Sequence, residues 1–407
     1  MAKLIVLMVT AFVDMVGFAM VIPLVPFYAT QMGANATVVG VLISAFSIAQ
    51  LLSAPTWGRL SDLYGRRPAV VIGLTVSAVG YVIFALAGNI WVLFLSRVVQ
   101  GVGGGTVGVL QAYVADASRP EDRAKGLGWL SAATSAGAVV GPAFGSLATV
   151  WWGHAGPGFG ATAFCVLSGI FAWHFLRESI GAATAEHRAK RALAGGEARA
   201  VLRVVTHTRE PASRLIWIYA IAIGGFYGTA PLLALLLADR LGVTVRNVGY
   251  FVMYLGAIGV IVRAGVLGWA VRRLGEARLV RLGLILLAAG LATVSQAHGL
   301  ITMAISLTLM PVGTAFTFPC VTALLSHVVS SDDRALYMGV QQTFGGVMRV
   351  LFPVGTGLMA DRYGMGTPWA LAALLVAATL FLTTALESYT ISLASPGPPV
   401  PDRTARS

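Results

Sequence analysis

The chain has 407 residues, of which 57% are hydrophobic and only 11% charged, against about 25% charged in ordinary soluble domains. A soluble globule of this size could not hide that much apolar surface, so a soluble enzyme and a disordered chain are both excluded and lipid is the expected solvent. The net charge of +12 would suit a nucleic-acid binder, but the excess sits in short loops beside apolar runs, where it controls topology instead.

Twelve apolar runs follow one another, at about 4–28, 38–57, 69–88, 90–115, 126–149, 159–177, 214–238, 247–271, 279–297, 300–328, 336–360 and 367–387. A spanning helix needs about 20 such residues. The first run is too long for a secretory signal core and carries Asp14 in its middle. Most connectors are short, so neighbouring helices are expected to be antiparallel. The exception is the polar stretch from Glu178 to Ser213, which reads as a cytoplasmic linker between a bundle at 1–177 and a second bundle at 214–390; the Pro-rich, polar segment 391–407 reads as a disordered tail. Cys165 and Cys320 are the only cysteines and both lie in apolar runs, which leaves no disulfide framework and no redox or metal pair.

Charge orients the chain. With both termini inside, the outer loops hold only Arg240, Arg246 and Arg362, while nearly all other Lys and Arg fall in inner loops. The expected location is the inner (plasma) membrane, multi-pass, with both termini cytoplasmic. The chain also repeats itself: Gly58 and Gly65 return as Gly268 and Gly275, Asp122-Arg123-Ala124 as Asp333-Arg334-Ala335, and Pro142 as Pro353, at offsets of 210 or 211 residues. Such landmarks argue for a duplicated six-helix unit with parallel repeats.

Several segments then carry a resemblance. Gly58-Arg-Leu-Ser-Asp62-Leu-Tyr-Gly65-Arg66-Arg67 resembles the loop between helices two and three of the major facilitator superfamily. The residues themselves support a tight turn at the glycines, a basic pair at the anionic inner leaflet, and an Asp able to sit against a helix N-terminus. The resemblance implies that Asp62 meets the eleventh helix and latches the cytoplasmic side; the second repeat has Arg272 in its place. Arg97-Val-Val-Gln100-Gly101 is similar to the fourth-helix motif of proton-coupled members. Charge at membrane depth costs about 2.5–3.5 kcal/mol on insertion scales, so Arg97 either faces a cavity or snorkels to the interface. Gly137, Gly141 and Gly145 with Pro142 support close packing and a bend and resemble the fifth-helix motif of the antiporter branch. Phe12-Val-Asp14-Met-Val-Gly17, followed by Pro23 and Pro26, resembles the first helix of tetracycline-exporter-like drug:proton antiporters. Desolvation disfavours a charged carboxyl, so a lone acid at depth is either a proton carrier or a structural hydrogen-bonding group. The resemblance covers about 4–390, but where tetracycline exporters carry an acid in helix three this chain has Gly80-Tyr81.

The fold class expected is therefore all-α membrane protein, twelve transmembrane helices in two pseudo-symmetric six-helix bundles. The function expected is secondary active transport: proton-coupled export of small amphipathic compounds by alternating access, with Asp14 and Arg97 as the coupling pair. An importer or a lipid flippase on the same fold is the alternative, ahead of a non-transporting membrane protein. Gln50, Gln100, Arg263, Gln341 and Arg349 are candidate cavity residues. The sequence leaves open whether Arg263 and Arg349 bind an anionic group, pair with Asp14 or serve as anchors. The expected partners are a small-molecule substrate, protons and the bilayer, with no nucleic acid, cofactor or metal, and a monomeric chain. The six His are scattered, and the nucleophile, metal-hydrolase and ATP-binding motifs are absent, so neither an enzyme nor an ATP-driven pump is expected.

Overall fold

A computed structural model describes residues 2–118, 122–176, 196–330 and 333–384. The proposed tail at 391–407 and residues 178–195 of the connector lie outside the described residues. Every described element is a helix. Eleven are long and apolar enough to cross a membrane: α1 (Ile5–Gln31), α2 (Ala36–Tyr64), α3 (Arg66–Ala85), α4 (Ile90–Val114), α5 (Lys125–Trp152), α6 (Gly156–Phe175), α7 (Pro211–Leu241), α8 (Val248–Leu274), α9 (Glu276–Gln296), α10 (Leu300–Val328) and α11 (Leu336–Tyr363); a shorter apolar helix, α12 (Thr367–Thr383), makes twelve. Large apolar side chains such as Leu52, Trp91, Trp152 and Phe381 point outward, more than 65% exposed, as suits a lipid-facing surface.

Local sequence sets the breaks. Pro23 and Pro26 lack the N–H a continuous ladder needs, and α1 tightens there into a 3-10 turn at Ile22–Leu24. Asn35 and Asn89 cap α2 and α4 by accepting from Val38 N at 3.0 Å and from Trp91 N and Val92 N at 3.1 and 3.0 Å. Among the described residues the turns where φ is positive all fall on glycine, and they pair across the repeat: Gly33 with Gly242, Gly65 with Gly275, Gly153 with Gly364. Packing repeats too. In one half α1 meets α5 and α6, α3 meets α4 and α6, and α2 meets α4. In the other, α7 meets α11 and α12, α9 meets α10 and α12, and α8 meets α10. The chain thus forms two six-helix bundles with the same internal contacts.

The bundles join along two seams, α2 on α11 and α5 on α8, which the pseudo-twofold exchanges. Both seams are tight at the end of the molecule that carries Asp361. There a Cβ on Gly40 would lie 2.1 Å from the Pro353 carbonyl oxygen, and one on Gly249 would lie 1.9 Å from that of Pro142. Ser44 Oγ donates to Val350 O at 2.6 Å, Ser146 Oγ donates to Val245 O at 3.0 Å, and Gly249 N donates back to Ser146 Oγ at 2.9 Å. Toward the end that carries Asp62, Gly58, Gly128, Gly265 and Gly339 on the same four helices have open space where a Cβ would go. The halves meet at the Asp361 end and part toward the Asp62 end.

One element was not legible in the sequence. Within the polar connector, Gly196–Thr206 is a helix whose buried Ala200 and Val204 lie on α7 and α11. Trp217 Nε1 donates to Val204 O at 3.4 Å, and Arg203 pairs with Glu210 at 2.9 Å.

Candidate functional site

The first half gathers its ionisable groups around Asp14. The side chain of α1's Asp14 is half-buried, with Cys165 Sγ of α6 3.9 Å from its Oδ1. Tyr81 of α3 lies within electrostatic range of Asp14, Cys165 and Arg97. Asp14 and Arg97 themselves form no ion pair among the described residues. Arg97 is fully buried; its guanidinium donates to Gln100 Oε1 and lies 4.7 Å from the centroid of the Phe46 ring. The sequence named Cys165 only as a cysteine without a pair and Tyr81 only where an acid is missing, and it did not single out Phe46, because each is an ordinary core residue until the fold places it beside a charge.

Gln100 and Gln341 are corrected as cavity residues. Gln100 is 1% exposed and Gln341 is fully buried. The Gln100 amide donates to Gly80 O at 3.1 Å, and Gln341 Oε1 accepts from Thr322 Oγ1 at 3.4 Å. Gly80 has no side chain to hold α4 away, so the amide reaches its backbone. Gln50 is only partly buried and donates to Gly104 O at 3.0 Å.

In the second half, Arg263 and Arg349 lie on α8 and α11, the two helices that form the seams with the first half. Arg263 is exposed within a π-helical segment, Val262–Val266, of α8, a local widening often found at functional sites. Arg349 is half-buried on α11, with its guanidinium carbon 5.6 Å from the Tyr227 ring centroid and its Nε without a partner. Tyr219 of α7 is within electrostatic range of both arginines, and Gln342 Nε2 lies 3.2 Å from its hydroxyl.

Gly137, Gly141 and Gly145 face α1, where a Cβ would lie 2.6, 2.7 and 2.2 Å from its nearest atoms, while Pro142 presents its carbonyl to Gly249 of α8. The loop after α2 departs from expectation. Among the described residues Asp62 makes no bond to α11; it pairs with Arg66 at 2.9 Å, because the halves are apart at this end. Arg66 does not face a lipid surface either. It is buried, pairs with Asp116 at 3.2 Å and donates to Ser61 Oγ. Arg67 donates to the Trp173 carbonyl and stacks 4.4 Å over its ring. Gly65, at φ 103°, lets the chain reverse there. In the second repeat the equivalent positions exchange polarity: Glu276 faces His327 at 3.6 Å, and Arg272 is exposed.

A contact absent from the sequence reading closes the opposite end. Asp361, near the end of α11, accepts from Ala36 N at 2.9 Å, from Thr37 N at 2.8 Å and from Thr37 Oγ1. It therefore sits on the N-terminus of α2 across the seam, where exposed N–H groups and the helix dipole favour an anion. A signal was present: Gly357-Leu-Met-Ala-Asp361-Arg-Tyr-Gly364 has the spacing of Gly58, Asp62 and Gly65. No group of three or more His, Cys, Asp or Glu able to hold a metal occurs among the described residues.

The family model described as Major Facilitator Superfamily matches residues 7–353 and again 215–405. Multidrug resistance protein 1 of Bacillus subtilis (strain 168) is 27% identical over 387 residues, covering 94% of this chain and 96% of its own. Tetracycline resistance protein, class C, of Escherichia coli is 28% identical over 397 residues, covering 93% and 94%. Among solved structures, the human organic anion transporter MFSD10 (TETRAN) superposes with a TM-score of 0.69 at 22% identity, covering 94% of this chain and 99% of that one.

Proposed function

Since the chain belongs to the Major Facilitator Superfamily, we propose that it is a proton-coupled exporter of small amphipathic compounds that works by alternating access. The observation that carries the coupling is Asp14, a half-buried carboxyl on α1 with no cationic partner within salt-bridge distance among the described residues. Such a group can exchange its proton with whichever side the cleft faces. Export is supported by the relatives, which are resistance proteins. The loop charges support a cytoplasmic Asp62 end, so the form described here is open to the cytoplasm.

Return to the outward form breaks the Asp361 contact with α2 and brings Asp62 to the N-terminus of α11, the mirror operation at the other end. A membrane potential of about 150 mV is worth about 3.5 kcal/mol per charge. That sustains a gradient of a few hundredfold for a neutral substrate exchanged for one proton, so a single titrating Asp14 is sufficient. Everted vesicles acidified inside test the reading with a panel of amphipathic dyes. Substrate entering the vesicles should make protons leave, and a protonophore should abolish accumulation; accumulation that survives the protonophore would refute proton coupling.

A further inference from the structure

The helix at Gly196–Thr206 is the element that the transport cycle leaves unused. At 3.6 residues per turn, Ala200, Val204, Val201, Val205 and Leu202 follow one another around it over an arc of about 200°, against an apolar stripe of about 100° on an ordinary surface helix. Only one edge of that arc rests on protein. Ala200 and Val204 are buried on α7 and α11, while Val205 and Leu202, at the far edge, are 51% and 62% exposed. The polar side of the helix carries Arg199 and Arg203 and is followed by Arg209, all exposed. Arg203 is tied to Glu210, whereas Arg199 and Arg209 have no carboxylate within salt-bridge distance among the described residues. The depth of the helix is set by α7. That span has 31 residues, about 46 Å at 1.5 Å per residue, against about 30 Å of hydrocarbon, so its ends reach the headgroup layers. Trp217, in the second turn of α7, donates to Val204 O at 3.4 Å, and indole rings favour that layer. The loop charges put this end at the cytoplasmic leaflet.

We propose that this helix is an interfacial anchor: its exposed edge, Leu202 and Val205, enters the inner leaflet, and its arginines bind anionic lipid headgroups. The occupant of the face is the bilayer, in the same leaflet that already surrounds the end of α7. A helix with an apolar face beside a basic one lies in the plane of the interface, with its apolar side chains at the acyl boundary. The guanidinium groups of Arg199 and Arg209 present forks of donors that match phosphate oxygens. Each basic group near an anionic surface adds about fivefold in affinity. The other edge of the helix rests on α7 and α11 at once, so a leaflet that grips it also holds the cytoplasmic ends of those two spans. The anchor depends neither on what the chain transports nor on a proton.

The test uses the full chain with Cys165 and Cys320 replaced by Ala and one cysteine introduced as Leu202→Cys, Val205→Cys or Thr208→Cys. Each is labelled with an environment-sensitive fluorophore and placed in nanodiscs of phosphatidylcholine alone, or of phosphatidylcholine with about 30% phosphatidylglycerol. In the anionic discs the labels at 202 and 205 should emit to the blue, and lipids carrying a nitroxide near the headgroup should quench them. They should also resist acrylamide, a neutral aqueous quencher, at least about fivefold better than the label at 208. That protection should shrink in the neutral discs, and in the anionic discs as salt rises. Arg199→Gln with Arg209→Gln should bring it to the neutral level, while unchanged amide exchange in residues 211–241 shows that the bundle is intact. Arg199→Lys with Arg209→Lys should keep most of it, because the charge is retained. Labels at 202 and 205 as open to acrylamide as the one at 208 would overturn the proposal. So would protection that is equal in the two lipids or survives the loss of both arginines, since protein rather than anionic lipid would then cover the face.

Discussion

Asp361 offers the sharpest perturbation of the conformational equilibrium. Its carboxylate accepts two backbone N–H groups and one hydroxyl from the first turn of α2, across the seam between the bundles. Losing an acceptor at a helix N-terminus costs about 0.5–2 kcal/mol, and an exposed anion near a helix dipole contributes about 0.3–1 kcal/mol. Asp361 is exposed, and Asn35 keeps its own bond to Val38 N, so the lower half of the range applies. Asp361→Ala should cost the closed form about 1 kcal/mol, which is about fivefold in the ratio of closed to open at that end. Asp361→Asn keeps an acceptor and loses the charge, and should shift the ratio about twofold. Cys165 and Cys320 are the only native cysteines, so after their replacement by Ala, spin labels can be placed through Trp91→Cys and Ile301→Cys. Both positions are more than 75% exposed, at the starts of α4 and α10. Electron–electron distance measurements should show weight moving to longer distances in the Ala variant, with the Asn variant between it and the parent. An unchanged distribution, or one moving to shorter distances, would refute the latch.

Gly249→Ala places a Cβ against the Pro142 backbone oxygen, 1.9 Å away, so α5 and α8 must separate and the same labels should report opening; Gly58→Ala, which meets nothing within 4 Å, should leave the distances unchanged. His154, exposed on its outer side, stacks on Tyr28 with ring centroids 3.7 Å apart, and the partial desolvation of its ring holds its pKa below the ordinary 6.5. The unfolded chain therefore binds the proton first, and this contribution to stability is complete above about pH 6.5 and falls as the pH drops below it; thermal melting between pH 7.5 and 5.5 should show the loss, and His154→Phe should flatten that part of the profile. Arg203 holds the Glu210 carboxyl below its ordinary 4.5, so the tie on the linker helix is complete above that value and is lost as the pH falls through the lowered one. Glu210→Gln should raise amide exchange of residues 196–206 at neutral pH, and unchanged protection would show that Ala200 and Val204 hold the helix unaided.

Much of the fold was legible because lipid imposes a simple code: a spanning segment must be long, apolar and helical, and duplication left Pro142 and Pro353, or Gly65 and Gly275, in register. The linker helix escaped because two small apolar contacts, Ala200 and Val204, are enough to dock it, and they are inconspicuous among the charges of the connector. The site was legible only as a set of expensive residues. Asp14, Arg97, Arg263 and Arg349 stand out by cost, but their partners are decided by helix rotation. That rotation put Gln100 beside Arg97 and the Tyr227 ring beside Arg349. Asp62 was read for its role at a closed end, and its pairing with Arg66 belongs to the open one. Asp361 was overlooked because its spacing matches the Asp62 loop at an offset unrelated to the duplication.

The central claim is that one carboxyl couples proton entry to export. It is tested most directly by reconstituting Asp14→Asn in proteoliposomes with an imposed pH gradient and following a substrate of the parent chain. The account predicts that uphill accumulation is lost while binding and downhill exchange persist, because the neutral amide can neither take up nor release a proton. Accumulation equal to that of the parent would contradict it and leave Asp14 a structural partner of Cys165.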